Sequence, residues 1–144
     1  MADDAIVIAS DHAGFELKEV LKNELESLGY TVRDLGTHNS VSVDYPDYAK
    51  ALATAIVNGE ASRGVLLCGN GIGASIGANR HGGVRAALCT DTDAARMCRL
   101  HNDANVLVLG GRTTPPDVAE ACLRIFLDTA FEGGRHTRRV AKLA

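Results

Sequence analysis

No stretch of this chain is apolar for long enough to cross a bilayer, which takes about 20 consecutive residues. Its first residues, Ala2-Asp3-Asp4, are acidic where an export signal would be basic. Neither membrane insertion nor secretion is therefore expected. An excess of positive charge is missing too: the formal net charge is −3, which offers no footing for nucleic acid or an anionic membrane. Close cysteine pairs of the kind that hold zinc are absent, since Cys89 and Cys98 stand nine positions apart and Cys68 and Cys122 lie further off. Without an export signal, these four are expected to be reduced thiols in the cytoplasm. The chain also has no repeat, low-complexity stretch or linker, so one domain over residues 1–144 is expected, long enough for a real core.

What is present is an alternation. A short apolar run suited to a buried strand occurs at residues 5–9, and residues 30–35, 65–68, 84–89 and 105–109 also read as strands. Between them, apolar residues recur at helical spacing, as in Phe15, Leu17, Val20, Leu21, Leu25 and Leu28, with Gly29 closing the helix. Further helices are predicted over residues 48–56, from about Gly73, and over 91–100. A last long helix is opened by Pro115-Pro116 and ended by Gly133-Gly134, leaving a short basic segment over residues 134–144. Strand and helix alternating five times predict an α/β fold, with a five-stranded parallel sheet covered on both faces. Ligands of such sheets sit beyond the carboxyl ends of the strands.

One of those ends is chemically distinctive. Cys68-Gly69-Asn70-Gly71-Ile72-Gly73 joins an apolar strand to a helix start. Free amides and the helix dipole favour negative charge there. A thiol at such a point is expected to ionise more readily than a free one. The glycine spacing is not that of a dinucleotide loop, and the loop lacks the Lys-Ser/Thr of a P-loop. A plain tight turn is the competing reading.

Other candidates carry similar alternatives. Asp11-His12 follows the first strand and is either a helix cap beside a surface histidine or a proton-exchanging pair. Tyr45, in Asp44-Tyr45-Pro46-Asp47, is either part of a helix start or a ligand wall. His101-Asn102-Asp103 is either a helix end or a source of an acid. Arg135 and Arg139 stand at i and i+4, on one helical face, and arginine suits bidentate phosphate contact; a solvated tail is the alternative. His101, Arg135 and Arg139 precede a strand or follow a helix, which puts them at the amino edge of the sheet. Cys68 and Arg112 belong at the carboxyl edge. A strand of five or six residues spans roughly 17–20 Å, so a site using both groups is most simply shared between two subunits.

Taken together, Ser10-Asp11-His12-Ala13-Gly14, Asp44-Tyr45-Pro46, residues 67–73, Ala78-Asn79, His101-Asn102-Asp103, Gly110-Gly111-Arg112 and Glu132-Gly133-Gly134-Arg135-His136 resemble the type B ribose-5-phosphate isomerases, a family that includes galactose-6-phosphate isomerase subunits. The resemblance runs in order along nearly the whole chain. It implies a Rossmann-like three-layer sandwich, a homodimer with shared sites or a higher oligomer built from it, and no metal or other cofactor. It implies interconversion of ribose 5-phosphate and ribulose 5-phosphate through an enediolate. Cys68 would be the base, and His101 the acid that opens the ring, assisted by Asp11. The amides of Gly69, Asn70, Gly71, Ile72 and Gly73 would hold the oxyanion. Asn102 would bind hydroxyls, with Tyr45 as a further substrate contact. Arg135 and Arg139, with Arg112 and His12, would hold the phosphate, and the segment over 134–144 would contact the partner. Many members with the active cysteine carry a hydroxyl residue where this chain has Asn70. Another branch carries a glutamate base where this chain has Ile72, which cannot accept a proton. Cys68 is thus the only candidate base in the loop. Other phosphorylated aldoses as substrates, or a non-catalytic sugar-phosphate module, are the alternatives.

Overall fold

All five expected strands form: β1 (Ala5–Ser10), β2 (Thr31–Asp34), β3 (Arg63–Cys68), β4 (Ala86–Leu88) and β5 (Val106–Gly110). In the computed structural model they form one sheet in the order β2-β1-β3-β5-β4, parallel throughout. Residues 4–144 are described; residues 1–3, with Asp3 of the acidic start, lie outside the described residues. The helices are α1 (Phe15–Ser27), α2 (Tyr45–Val57), α3 (Ile72–Asn79), α4 (Thr92–Asn102), α5 (Pro116–Asp128) and α6 (Arg135–Ala141). A tight helical turn, His12–Gly14, precedes α1.

The period of two in a strand sorts the core into two layers. Ile6, Ile8, Val65 and Leu67 pack with Leu21 and Leu25 of α1 and Leu123 and Phe126 of α5. Val7, Ala9, Leu66 and Cys68 point the other way, onto Ala49, Leu52 and Ala53 of α2 and Ala74 of α3. The predicted three-layer α/β sandwich is therefore the fold. Cys68 inherits its direction from this alternation, toward α2 and α3.

One polar link crosses the first layer. The Lys18 side chain is fully buried, and its Nζ donates to Asp34 Oδ2 at 2.5 Å and to Glu19 Oε1 at 3.0 Å. Burial alone would push the Asp34 carboxyl up. The Lys18 hydrogen bond, the Gly36 amide and the Lys18 charge together outweigh it and hold this carboxyl below its usual value of 3.8. A depressed carboxylate stabilises the fold above its unfolded pKa, and that contribution fades as pH falls through 3.8 and below. Asp34→Asn leaves a buried ammonium with Glu19 alone and is expected to cost about 3 kcal/mol at neutral pH. Urea melts should show the gap to wild type shrinking in acid; equal stability at neutral pH would show the pair to be inert.

The end of the chain corrects the sequence reading. Helix α5 stops at Asp128, before Gly133-Gly134, and the basic segment is a helix of its own. Thr129 is extended, its hydroxyl donates to Ile125 O, and its carbonyl accepts from Arg99 Nε at 3.0 Å. Gly133 and Gly134, with φ of +72° and +58°, turn the chain into α6 rather than closing α5. Helix α4 likewise runs two residues past Leu100, so His101 and Asn102 lie in its last turn.

Candidate active site

Strand β1 has β2 on one side and β3 on the other, so the connections leaving β1 and β3 diverge and a crevice opens beyond their carboxyl ends. Register fixes what meets there. Ser10 pairs with Leu67, and Cys68 pairs with Gly110. Asp11, the Cys68 loop and the Gly110-Gly111-Arg112 turn are therefore neighbours by backbone pairing alone. The turn is tied to the loop by Gly111 N–H donating to Cys68 O at 2.8 Å and Arg112 N–H donating to Gly69 O at 2.9 Å.

The loop into α3 needs glycine at two places. Gly71, the residue before the helix, has φ +84°, and a methyl there would lie 2.5 Å from Leu88 Cδ1 and 3.3 Å from the Leu109 backbone. At Gly73 a methyl would lie 2.5 Å from the Tyr45 ring, so the bare backbone lets that ring close over the helix start. An open hollow of about 610 Å³ results, lined by Asp11, Tyr45, Cys68, Gly69, Asn70, Ile72, Gly73 and Arg112. That volume lies within the usual range for small-molecule sites. Cys68 is 4% exposed and still lines the hollow, so the thiol is screened from bulk water without being sealed off.

The polar groups are not all free. Asn70 Oδ1 accepts from the Ile72 amide at 3.0 Å, which removes that amide from the five expected to hold an oxyanion. This corrects the sequence reading. Asn70 closes a local Asx turn, and its amide NH₂ is left as the end able to donate to a ligand. Asp11 caps its turn, with Oδ1 accepting from Ala13 N–H at 3.0 Å and Gly14 N–H at 3.1 Å. Its carboxylate is thereby fixed at the mouth of the hollow. His12 Nδ1 accepts from the Val43 amide at 3.1 Å, which puts the ring proton on Nε2 and makes that edge a donor.

The remaining candidates gather elsewhere. His101, Asn102 and Arg139 line a second hollow of about 320 Å³, with His136, Val140 and Leu143. Helix α4 is followed by its capping residue Asp103, at φ +46°, whose carboxylate accepts from Arg99 Nη1 at 2.9 Å. Arg99 also holds Thr129 O, and Glu132 N–H donates to Leu100 O at 3.1 Å. These bonds carry the chain after α5 back against the end of α4. His101 and His136 then stack with ring centres 4.3 Å apart. Burial and then the charge of His101 push the His136 imidazole below the usual histidine range.

The two hollows share no residue, and they belong to opposite edges of the sheet. Arg135 lines neither of them. Motif spacing singles out neither Thr113 nor Ile76, which line the first hollow, and assigns no role to Glu132 and His136, which lie in one of the motifs and surround His101. Ile72 and Ile76, at 52% and 59% exposure, leave an apolar rim beside Cys68. Their i and i+4 spacing was the available signal.

Similarity to known proteins extends over the same elements. The pattern of the family described as Ribose/Galactose Isomerase matches residues 6–143. The chain resembles the crystal structure of a ribose 5-phosphate isomerase from Thermotoga maritima, with TM-score 0.94 and 54% identity, covering 96% of each chain. It resembles ribose-5-phosphate isomerase B of Clostridium thermocellum with TM-score 0.95 and 47% identity, over 96% of this chain and 94% of the other. Ribose-5-phosphate isomerase B of Escherichia coli (strain K12) is 42% identical over 135 residues, 94% of this chain and 91% of that protein.

Proposed function

The chain belongs to the ribose/galactose isomerase family and is an aldose–ketose isomerase, and on that premise we propose that it interconverts D-ribose 5-phosphate and D-ribulose 5-phosphate at sites shared between two subunits. The observation that carries this reading is the placement of Cys68. Its thiol lines a sugar-sized hollow at the first turn of α3, beside Asp11 and Arg112.

In this reading the Cys68 thiolate takes the proton from C2 of the open-chain aldose and returns it to C1. The enediolate oxygen is met by loop amides other than that of Ile72 and by the Asn70 NH₂. Positioned donors of this kind are worth on the order of 10²–10³ in rate each. His101, with Asp11, moves the proton that opens the furanose. Because His101 lies at the far edge from its own Cys68, it serves the Cys68 of a second chain. Asn102 accompanies it and binds hydroxyls. Arg135 and Arg139 hold the phosphate together with Arg112 and the Nε2–H of His12. Metabolic conversion of a phosphorylated sugar is consistent with cytoplasmic residence, and no described helix is long and apolar enough to cross a membrane.

The test is a side-by-side assay of ribose, allose, galactose and erythrose phosphates. Ribose 5-phosphate should give the highest kcat/KM. A higher value for a hexose or tetrose phosphate would keep the chemistry and replace the substrate. Binding of all four without turnover would replace the isomerase by a sugar-phosphate-binding module.

A further inference from the structure

We propose that His101, Glu132 and His136 form a binding site for a divalent transition-metal ion, best suited to Zn²⁺, and that its occupation switches the isomerase off. The three side chains offer one donor atom each, and these atoms all lie within 4.8 Å of one another. His101 Nε2 stands 3.8 Å from Glu132 Oε2. The two imidazoles are stacked with an interplanar angle of 18°. Among the described residues, His136 Nε2 has no hydrogen-bond partner, although His136 is only 5% exposed. A buried ring nitrogen left without a partner is costly, and a metal ion would engage it through a ring that is already held in place.

Two imidazoles and a carboxylate make a donor set that zinc takes readily, leaving a fourth position open. Zinc bonds of about 2.0–2.1 Å require donors roughly 3.3 Å apart in a tetrahedral site. The closing movement falls to the side chains able to make it. His101 and Glu132 have side chains 41% and 50% exposed, while His136 is the fixed anchor. Arg139 lines the same hollow and opposes a cation, and the Glu132 carboxylate beside His101 offsets it. An imidazole whose nitrogen is bound to metal cannot exchange a proton there. Inhibition therefore rests on the proposed role of His101, whereas binding does not.

The experiment separates the two. Protein stripped with chelator is titrated with Zn²⁺ by calorimetry and with Co²⁺ by absorption. One ion per chain is expected. The cobalt spectrum should show ligand-field bands without thiolate-to-metal charge transfer. Glu132→Gln removes a ligand and should weaken binding by more than the roughly tenfold that loss of an outer-shell partner costs, and His101→Ala should abolish it. Both positions are half-exposed, and circular dichroism checks that each variant is folded. Zn²⁺ should inhibit ribose 5-phosphate turnover reversibly on chelator addition, with Glu132→Gln correspondingly less sensitive. No binding, thiolate charge transfer, or affinity unchanged in both variants would overturn the site. Binding at the site without inhibition would overturn the switch and count against His101 as the acid, leaving the metal site in place.

Discussion

Cys68→Ala should lower kcat/KM on ribose 5-phosphate by about 10³–10⁴ while leaving the fold and the assembly intact. A positioned base contributes typically ~10²–10⁴, and this loop offers no substitute: Asn70 is fixed on the Ile72 amide and Ile72 has no basic atom. The substitution removes one buried sulfur atom from the α2–α3 layer, so any loss of stability should be small beside the loss of rate. Cys68→Ser keeps the shape more closely and should be nearly as inactive, because an alcohol ionises far less readily than a thiol. The decisive readout is exchange of the C2 hydrogen with deuterated water, followed by NMR. Exchange should vanish in both variants. Exchange at the wild-type rate in Cys68→Ala would transfer the base role to another group, with Asp11 the carboxylate that lines the same hollow.

Proton abstraction must also be told apart from ring opening. A 4-deoxy analogue of ribose 5-phosphate lacks the hydroxyl that closes the furanose and is always open-chain. Cys68→Ala should remain inactive on it, whereas His101→Ala should recover most of its activity.

Much of this site is legible in the order of residues because the carboxyl-edge half depends on short-range rules. An apolar run ending in Cys68-Gly69 must place the cysteine where the strand stops, and parallel pairing must bring Asp11 and Gly110 beside it. The remainder is set by contacts that leave no local pattern. That Asn70 would spend its carbonyl oxygen on the Ile72 amide depends on the αL turn at Gly71. The meeting of His101 with His136 depends on three Arg99 hydrogen bonds: to the Asp103 carboxylate, to Ala104 O and to Thr129 O. Reading Gly133-Gly134 as a helix stop hid this, since the pair lies after the break and steers α6 onto the end of α4. Helical spacing in the basic segment did show Arg135 and Arg139 on one face, but spacing cannot say what that face meets. In the fold only Arg139 reaches the His101 hollow.

Mixing inactive Cys68→Ala and His101→Ala chains should restore about one quarter of wild-type activity. The reason is topological. Within one chain Cys68 ends β3, while His101 lies in the last turn of the helix that leads back to the start of β5. The sheet between them is five to six residues tall, roughly 17–20 Å, which no proton transfer spans. If each working site takes its thiol from one subunit and its imidazole from the other, each heterodimer holds one intact site and one doubly damaged one. Random pairing makes about half of the dimers heterodimers in a symmetric assembly, so about one site in four is intact. Refolding the two chains together guarantees exchange, and mass spectrometry of the intact assemblies verifies it. Were His101 to act on its own Cys68, every site in the mixture would lack one group and the mixture would stay as inactive as its components. Verified heterodimers without recovered turnover would therefore exclude the shared arrangement. They would leave His101, His136 and Glu132 as a cluster apart from the chemistry, and a Zn²⁺ ion bound there would then have no reason to inhibit.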